Sequence, residues 1–112
     1  MDIVKLSDQF STCGQLQASD LEAVRSLGFR ALICARPDGE AADQPSFSEI
    51  ETVARNLGLS TEYIPVSTTG ATESNHAAFA SALSTLPGPV LAYCRSGQRA
   101  AMLWRVQQNA TA

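Results

Sequence analysis

Residues 90–100 read VLAYCRSGQRA, and this stretch gives the strongest indication of the fold. Val90 to Tyr93 is a short apolar run, which predicts a buried strand. Gly97 permits a tight turn, and the mostly apolar residues from Ala100 to Gln108 predict a helix. A strand that passes through a short loop into a helix is the building unit of parallel α/β sheets.

The same alternation of strand and helix extends along the rest of the chain. Further strands are predicted at residues 10–13, 29–35 and 59–66. Further helices are predicted at about residues 20–27, 47–57 and 72–86. The connections look too long for hairpins, which favours parallel strands. The pattern therefore predicts one domain over residues 1–112, an α/β three-layer sandwich with a mostly parallel sheet of four or five strands.

Composition excludes several classes of function. The 112 residues carry a net charge of −3, which argues against nucleic acid as a partner, because phosphate contacts need clustered Lys and Arg. No apolar run approaches the ~20 residues of a membrane span, and the first residues do not resemble a secretory signal. The three cysteines are an odd number, so we expect a cytoplasmic protein with reduced thiols. The single histidine, His76, stands alone in the sequence, so no metal and no cofactor is expected.

The loop that begins at Cys94 is the candidate catalytic segment. Its glycine would let successive backbone N–H groups converge on an anion, and the N-terminus of the next helix favours negative charge. Cys94 in this setting is predicted to be a thiolate nucleophile, with Arg99 stabilising the loop and the anion. The anion-binding loop is predicted to comprise Arg95, Ser96, Gly97 and Gln98. The alternative is that Cys94 is a buried structural residue, as many cysteines are.

Two family resemblances bear on this loop. Residues 94–99 resemble the active-site loop of single-domain rhodaneses, which carry sulfur as a cysteine persulfide. Nearly the whole chain resembles the phosphatase-like domain of β-lactamase-hydrolase-like proteins, also described as a sulfur transferase family. The motifs that carry this second resemblance are Gly14-Gln15, residues 36–40, Gln44-Pro45, residues 64–66 and the Cys94 loop. It implies a fold similar to dual-specificity phosphatases, and fusion to a metallo-β-lactamase-type domain related to persulfide dioxygenases, with this chain as the N-terminal part.

Two departures from phosphatase loops favour sulfur transfer over phosphate transfer. Four residues separate Cys94 from Arg99, one fewer than in tyrosine-phosphatase-type loops. The shorter loop suggests a smaller anion nest, that is, a smaller ring of backbone N–H groups around the bound anion. The segment 67–70, where a general acid would be expected, contains no carboxylate. We therefore expect a sulfurtransferase, in which Cys94 takes sulfur from thiosulfate or a low-molecular-weight persulfide and passes it to a thiol or cyanide.

Other interpretations stay open. The first is a cysteine-dependent phosphatase with the same nucleophile, to which Arg36 and Asp38 contribute from a second loop, Asp38 being the first candidate for the acid. Another is a binding module whose loop only captures an anion, although a serine would serve that purpose equally well. Glu40 is interpreted first as a solvated loop residue. Cys34 is interpreted first as a core residue, with a resolving thiol as the alternative.

Overall fold

The computed structural model describes residues 1–111, and residues 1–110 with their side chains. The strands are β1 Val4–Ser7, β2 Phe10–Cys13, β3 Ala31–Cys34, β4 Ser60–Tyr63 and β5 Val90–Tyr93. The helices are α1 Leu21–Ser26, α2 Phe47–Asn56, α3 Glu73–Thr85 and α4 Gln98–Thr111, and a short 3-10 turn, Ala18–Asp20, precedes α1.

The five strands form one sheet in the order β1-β2-β5-β3-β4. Only β1 runs antiparallel to its neighbour β2, and the other pairs are parallel. Tyr93 of β5 pairs with Cys13 on one side and with Cys34 on the other, so three neighbouring strands end in register. Because carboxyl ends of parallel strands meet at one edge of a sheet, the loops after β2, β3 and β5 converge there.

The sheet is buried on both faces, as parallel sheets usually are. Val90 and Ala92 point towards α3 and α4, in a core that includes Phe79 and Leu103. The alternate residues of the same strand, Leu91 and Tyr93, belong to the core of the other face, which includes buried residues of α1 and α2. The predicted three-layer α/β sandwich with a mostly parallel sheet is confirmed.

Two local expectations from the sequence are wrong. Strand β1 was not predicted, and it joins β2 through a hairpin of only two residues, Asp8 and Gln9. Strand β1 is short, lies at the edge of the sheet and is partly exposed. It lacks the continuous apolar run of the central strands, so its sequence alone does not predict a strand. Strands β3 and β4 are also shorter than expected. No helix within residues 1–111 is long and apolar enough to cross a membrane.

Candidate active site

The loop after β5 folds back over the sulfur of Cys94. Cys94 is fully buried, and the backbone N–H of Gly97 donates a hydrogen bond to its Sγ over 3.0 Å. Gly97 has φ +94°, a left-handed conformation that glycine adopts without the cost of a side chain. Helix α4 begins at the next residue, Gln98, so its free N–H groups and dipole lie beside the same loop. This arrangement stabilises negative charge on the sulfur or on an anion bound above it.

The loop after β2 supports the Cys94 loop from below. The N–H of Gln15 donates to the carbonyl of Arg95 over 3.2 Å, and the N–H of Cys94 donates to the carbonyl of Cys13 over 3.4 Å. A Cβ added to Gly14 would lie 3.0 Å from the Arg95 oxygen, and one added to Gly97 would lie 3.3 Å from the Cys13 oxygen. Two glycines therefore let the two loops pack backbone against backbone.

Arg99 is held by a carboxylate from the loop after β3. Its Nη1 donates to Oε2 of Glu40 over 2.8 Å, and its Nη2 donates to Oε1 over 2.9 Å, which is a bidentate ion pair. Nη1 also donates to the carbonyl of Val66 over 2.7 Å. Of the five N–H donors of a guanidinium, Nε and one on Nη2 have no partner within residues 1–110. These two donors stay free for an anion.

Arg36 completes the charge network below the site. It is buried, and its Nε donates to Oε1 of Glu40 over 3.0 Å while its Nη1 donates to Oε1 of Gln15, also over 3.0 Å. The hydrogen bonds from Arg99, reinforced by Arg36, lower the pKa of Glu40 to about 2. Glu40 is therefore ionised at neutral pH. It is an exposed loop residue, as the sequence suggested, but its carboxylate is bound by two arginines, which the sequence did not indicate. The one feature of the sequence that pointed to a role for Glu40 is its position in the family motif at residues 36–40.

The side chains of the remaining predicted site residues lie outside this network of charges. The side chains of Arg95, Ser96 and Gln98 are exposed, and Arg95 has no side-chain partner within residues 1–110. Ser96 Oγ accepts a long hydrogen bond of 3.5 Å from the N–H of Gln98. Asp38 points elsewhere: its Oδ1 accepts from the N–H of Phe47 over 2.8 Å, at the first turn of α2.

The remaining two cysteines are buried and have no disulfide partner. Burial raises the pKa of the Cys13 thiol to about 12, and it raises the pKa of the Cys34 thiol as well. Cys34 Sγ donates to the carbonyl of Arg36 over 3.3 Å. Both thiols are therefore protonated at neutral pH. This agrees with the first interpretation of Cys34 as a core residue.

A cleft of about 400 Å³ opens beside Arg99, between the loop after β4 and helix α4. Its lining residues are Val66, Ser67, Thr68, Gly70, Ala71, His76, Gln98, Arg99, Met102 and Val106. The His76 side chain is half-buried in this wall. No group of three or more His, Cys, Asp or Glu residues in the described chain is placed to hold a metal ion.

Comparison with known proteins identifies the relatives of this architecture. Residues 2–111 match the family described as "Beta-lactamase hydrolase-like protein, phosphatase-like domain". The beta-lactamase hydrolase-like protein of Xylella fastidiosa Temecula1 is 35% identical over 108 residues, which are 96% of this chain and 25% of that protein. The chain thus spans about a quarter of the length of the curated relatives it matches.

Two solved structures share the fold. A candidate phosphatase from Neisseria meningitidis Z2491 superposes with a TM-score of 0.90 and 32% identity, over 100% of this chain and 80% of that one. The core catalytic domain of the PP-IP phosphatase SIW14 from S. cerevisiae has a TM-score of 0.74 and 14% identity, over 97% of this chain and 67% of that one. At that identity, the second likeness shows the fold alone.

These relatives overturn the sulfurtransferase prediction, and with it thiosulfate or a persulfide as donor, a thiol or cyanide as acceptor, and a persulfide dioxygenase as partner. The rhodanese resemblance rested on a short loop, and the matches over the whole chain are phosphatase-like. The prediction took loop length as a measure of the anion nest. In the structure, however, the turn at Gly97 and the anchoring of Arg99 by Glu40 also shape that nest.

Three findings agree on the family: the match over residues 2–111, the sequence relatives and the Neisseria structure. The chain belongs to the beta-lactamase hydrolase-like protein family, as its phosphatase-like domain.

Proposed function

We propose that this domain is a cysteine-dependent phosphatase that hydrolyses phosphate monoesters through a phosphocysteine at Cys94. One observation carries the proposal: the N–H of Gly97 points at Cys94 Sγ from 3.0 Å, inside a loop that leads directly into helix α4. A backbone donor aimed at the sulfur supports a nucleophilic thiolate at the base of an anion site. The phosphatase-like relatives support the same chemistry.

In the first step, the Cys94 thiolate attacks phosphorus. The sulfur–phosphorus bond forms as the bond from phosphorus to the ester oxygen breaks, and that oxygen leaves with the electron pair. The equatorial oxygens take hydrogen bonds from backbone N–H groups of residues 95–99. The free Nε and Nη2 donors of Arg99 neutralise the charge that develops on them.

In the second step, water attacks the phosphocysteine. The oxygen of water bonds to phosphorus, the sulfur–phosphorus bond breaks, and the Cys94 thiolate is restored as inorganic phosphate is released. The same donors bind both transition states, because the phosphoryl group stays in the nest throughout. Glu40 and Arg36 act indirectly in this proposal, by keeping Arg99 in one orientation.

The test is hydrolysis of p-nitrophenyl phosphate by the wild type and by Cys94→Ser. We expect the variant to lose at least about 1,000-fold in kcat, since a serine hydroxyl without an adjacent base is a poor nucleophile. Cys34→Ser is the matched control, because a hydroxyl can keep the bond to the Arg36 carbonyl. Acid quenching of the wild type during turnover should trap one phosphoryl group on the peptide that contains Cys94. A Cys94→Ser variant with full activity would exclude the proposal.

Two wider expectations stay predictions. The first is the organisation as one domain over residues 1–112 in a longer fusion protein, for which the length of the relatives is the support. The second is a cytoplasmic location, for which the three free thiols are the support. Fractionation of cells that express the natural gene, with an antibody against this domain, would measure both the size and the compartment.

A further inference from the structure

A phosphate ester with a basic leaving group needs a proton donor, and the nearby carboxylates are poorly placed for this role. Glu40 is bound by two arginines, and its pKa of about 2 leaves it without a proton at neutral pH. Asp38 accepts the N–H of Phe47 at the start of α2. Asp2 lines two other cavities, which it shares with Ser96 and not with Arg99. The described residues that line that cleft include no carboxylate.

His76 brings an imidazole, a side chain that can carry a transferable proton, into the lining of that cleft. It lines the same space as Gln98 and Arg99, so it faces the first turn of α4, where the anion nest ends. Imidazole is the commonest side chain for proton transfer near neutral pH. Val66, whose carbonyl accepts a hydrogen bond from the Arg99 guanidinium, lines the same cleft.

The start of α3 is anchored so that His76 keeps this position. Thr72 and Asn75 form a reciprocal capping box, with hydrogen bonds of 3.1 and 3.0 Å. The Nδ2 of Asn75 also donates to the carbonyl of Pro65 over 3.0 Å, which ties the first turn of α3 to the segment after β4. His76 is the next residue, and its N–H donates to the carbonyl of Thr72 over 3.1 Å. These bonds fix its backbone at the first turn of α3.

We propose that His76 is the general acid of this site and that the cleft is its leaving-group subsite, an inference that rests on the phosphatase function proposed above. As the bond between phosphorus and the ester oxygen breaks, the imidazolium gives its proton to that oxygen, and a neutral alcohol leaves. The neutral imidazole then takes a proton from the water that attacks the phosphocysteine. The proton balance closes over one turnover, and no further reactant is needed.

The lining of the cleft also indicates the class of leaving group. Met102 is 54% exposed and Val106 is 40% exposed, so α4 presents an apolar surface there. Arg99 and His76 are the ionisable residues among the described lining, and Arg99 is committed to Glu40 and to the phosphoryl group. A leaving group with several negative charges would find too few cations. The subsite therefore fits an uncharged, largely apolar alcohol such as a phenol.

The test compares two esters that differ in their need for a proton. For His76→Gln, we expect kcat/KM on phenyl phosphate to fall by about 100-fold or more, the usual contribution of a general acid. On p-nitrophenyl phosphate, whose leaving group departs as an anion, we expect a loss below about threefold. Ser74→Ala, an exposed position on the same turn of α3, is the control and should leave both rates unchanged. Fluorescence of Trp104 checks that each variant is folded.

Each other result overturns the assignment. Equal losses on the two esters would show a structural role for His76, and no loss would show no role. A leaving-group-dependent loss in Asp38→Asn instead would make Asp38 the acid. A wild type that hydrolyses neither ester overturns the phosphatase function and this inference with it. Hydrolysis that depends on Cys94 without the expected His76 pattern overturns the inference alone.

Discussion

The ion pair between Glu40 and Arg99 is the contact whose loss should be easiest to measure. Replacing Glu40 by glutamine keeps the shape of the side chain and removes its charge, so the variant imitates a protonated Glu40. The pKa of this carboxyl falls from 4.5 to about 2, because Arg99, helped by Arg36, hydrogen-bonds to its ionised form. At about 1.4 kcal/mol per pKa unit, that shift corresponds to about 3 kcal/mol of stabilisation.

Solvent reduces the part of this energy that a variant will lose. The Glu40 side chain is 20% exposed, and the exposed side of a carboxylate is screened by water. We therefore expect Glu40→Gln to lower the free energy of unfolding by about 2 kcal/mol at pH 7. Part of that loss comes from Arg36, whose side chain is only 7% exposed and would retain Gln15 as its main partner. The change should also lower kcat/KM by about 10-fold, since Arg99 loses its bidentate anchor.

The pH dependence of this difference has a definite sign. A carboxyl with a lowered pKa stabilises the folded state above its unfolded pKa, and that stabilisation is lost as pH falls towards the folded pKa. For Glu40, the difference between wild type and variant should be constant from neutral pH down to about 5. It should shrink below 4.5 and vanish near pH 2.

The assay is urea unfolding followed by the fluorescence of Trp104, the single tryptophan, whose ring stacks on Phe10 at 4.5 Å. Asp8→Asn is the control: it removes the exposed surface pair with Lys5 and should change stability by less than about 0.5 kcal/mol. A Glu40→Gln variant as stable as the wild type, or a difference in stability that does not change with pH, would show that this ion pair does not stabilise the fold.

Three further perturbations test other parts of the site. Arg99→Lys should lower kcat/KM for p-nitrophenyl phosphate by about 10-fold or more, because an ammonium cannot bind Glu40 in two places and still reach the anion; normal kinetics would place Arg99 outside the site. Gly97→Ala should lower stability by about 1–3 kcal/mol and abolish most activity. Gly28→Ala is the control, because Gly28 also has a positive φ (+101°) but an added Cβ would meet no atom within 4 Å. It should lower stability and leave activity unchanged. Similar losses of activity in both variants would contradict the argument that Gly97 is needed where the two loops pack. Treatment of the native protein with iodoacetamide at pH 7 should leave Cys13 and Cys34 unmodified, because burial raises the pKa of both thiols; peptide masses give the result, and alkylation at either one would contradict it.

The fold could be predicted from the sequence wherever local pattern and burial agree. Strands β2 and β5 were predicted with their observed bounds, because their residues are short runs between clear turn signals. Strand β1 escaped prediction, since an exposed edge segment has no continuous apolar pattern. Pairing with β2 is what makes it a strand, and pairing is a tertiary interaction.

Some features of the candidate site are likewise local in the sequence, whereas others depend on residues that are far apart in the chain. The sequence was enough to predict that Cys94 follows a buried strand, that a glycine turn comes next, and that a helix begins beside it, because these features arise within a few residues. The partners of that loop could be identified only once the chain was folded. Glu40 reaches Arg99, and His76 joins the same cleft, because parallel strands in register bring distant loops to one edge of the sheet. The sulfur-transfer prediction was wrong because it judged the loop by its length, whereas residues far away in sequence also shape the space around the sulfur.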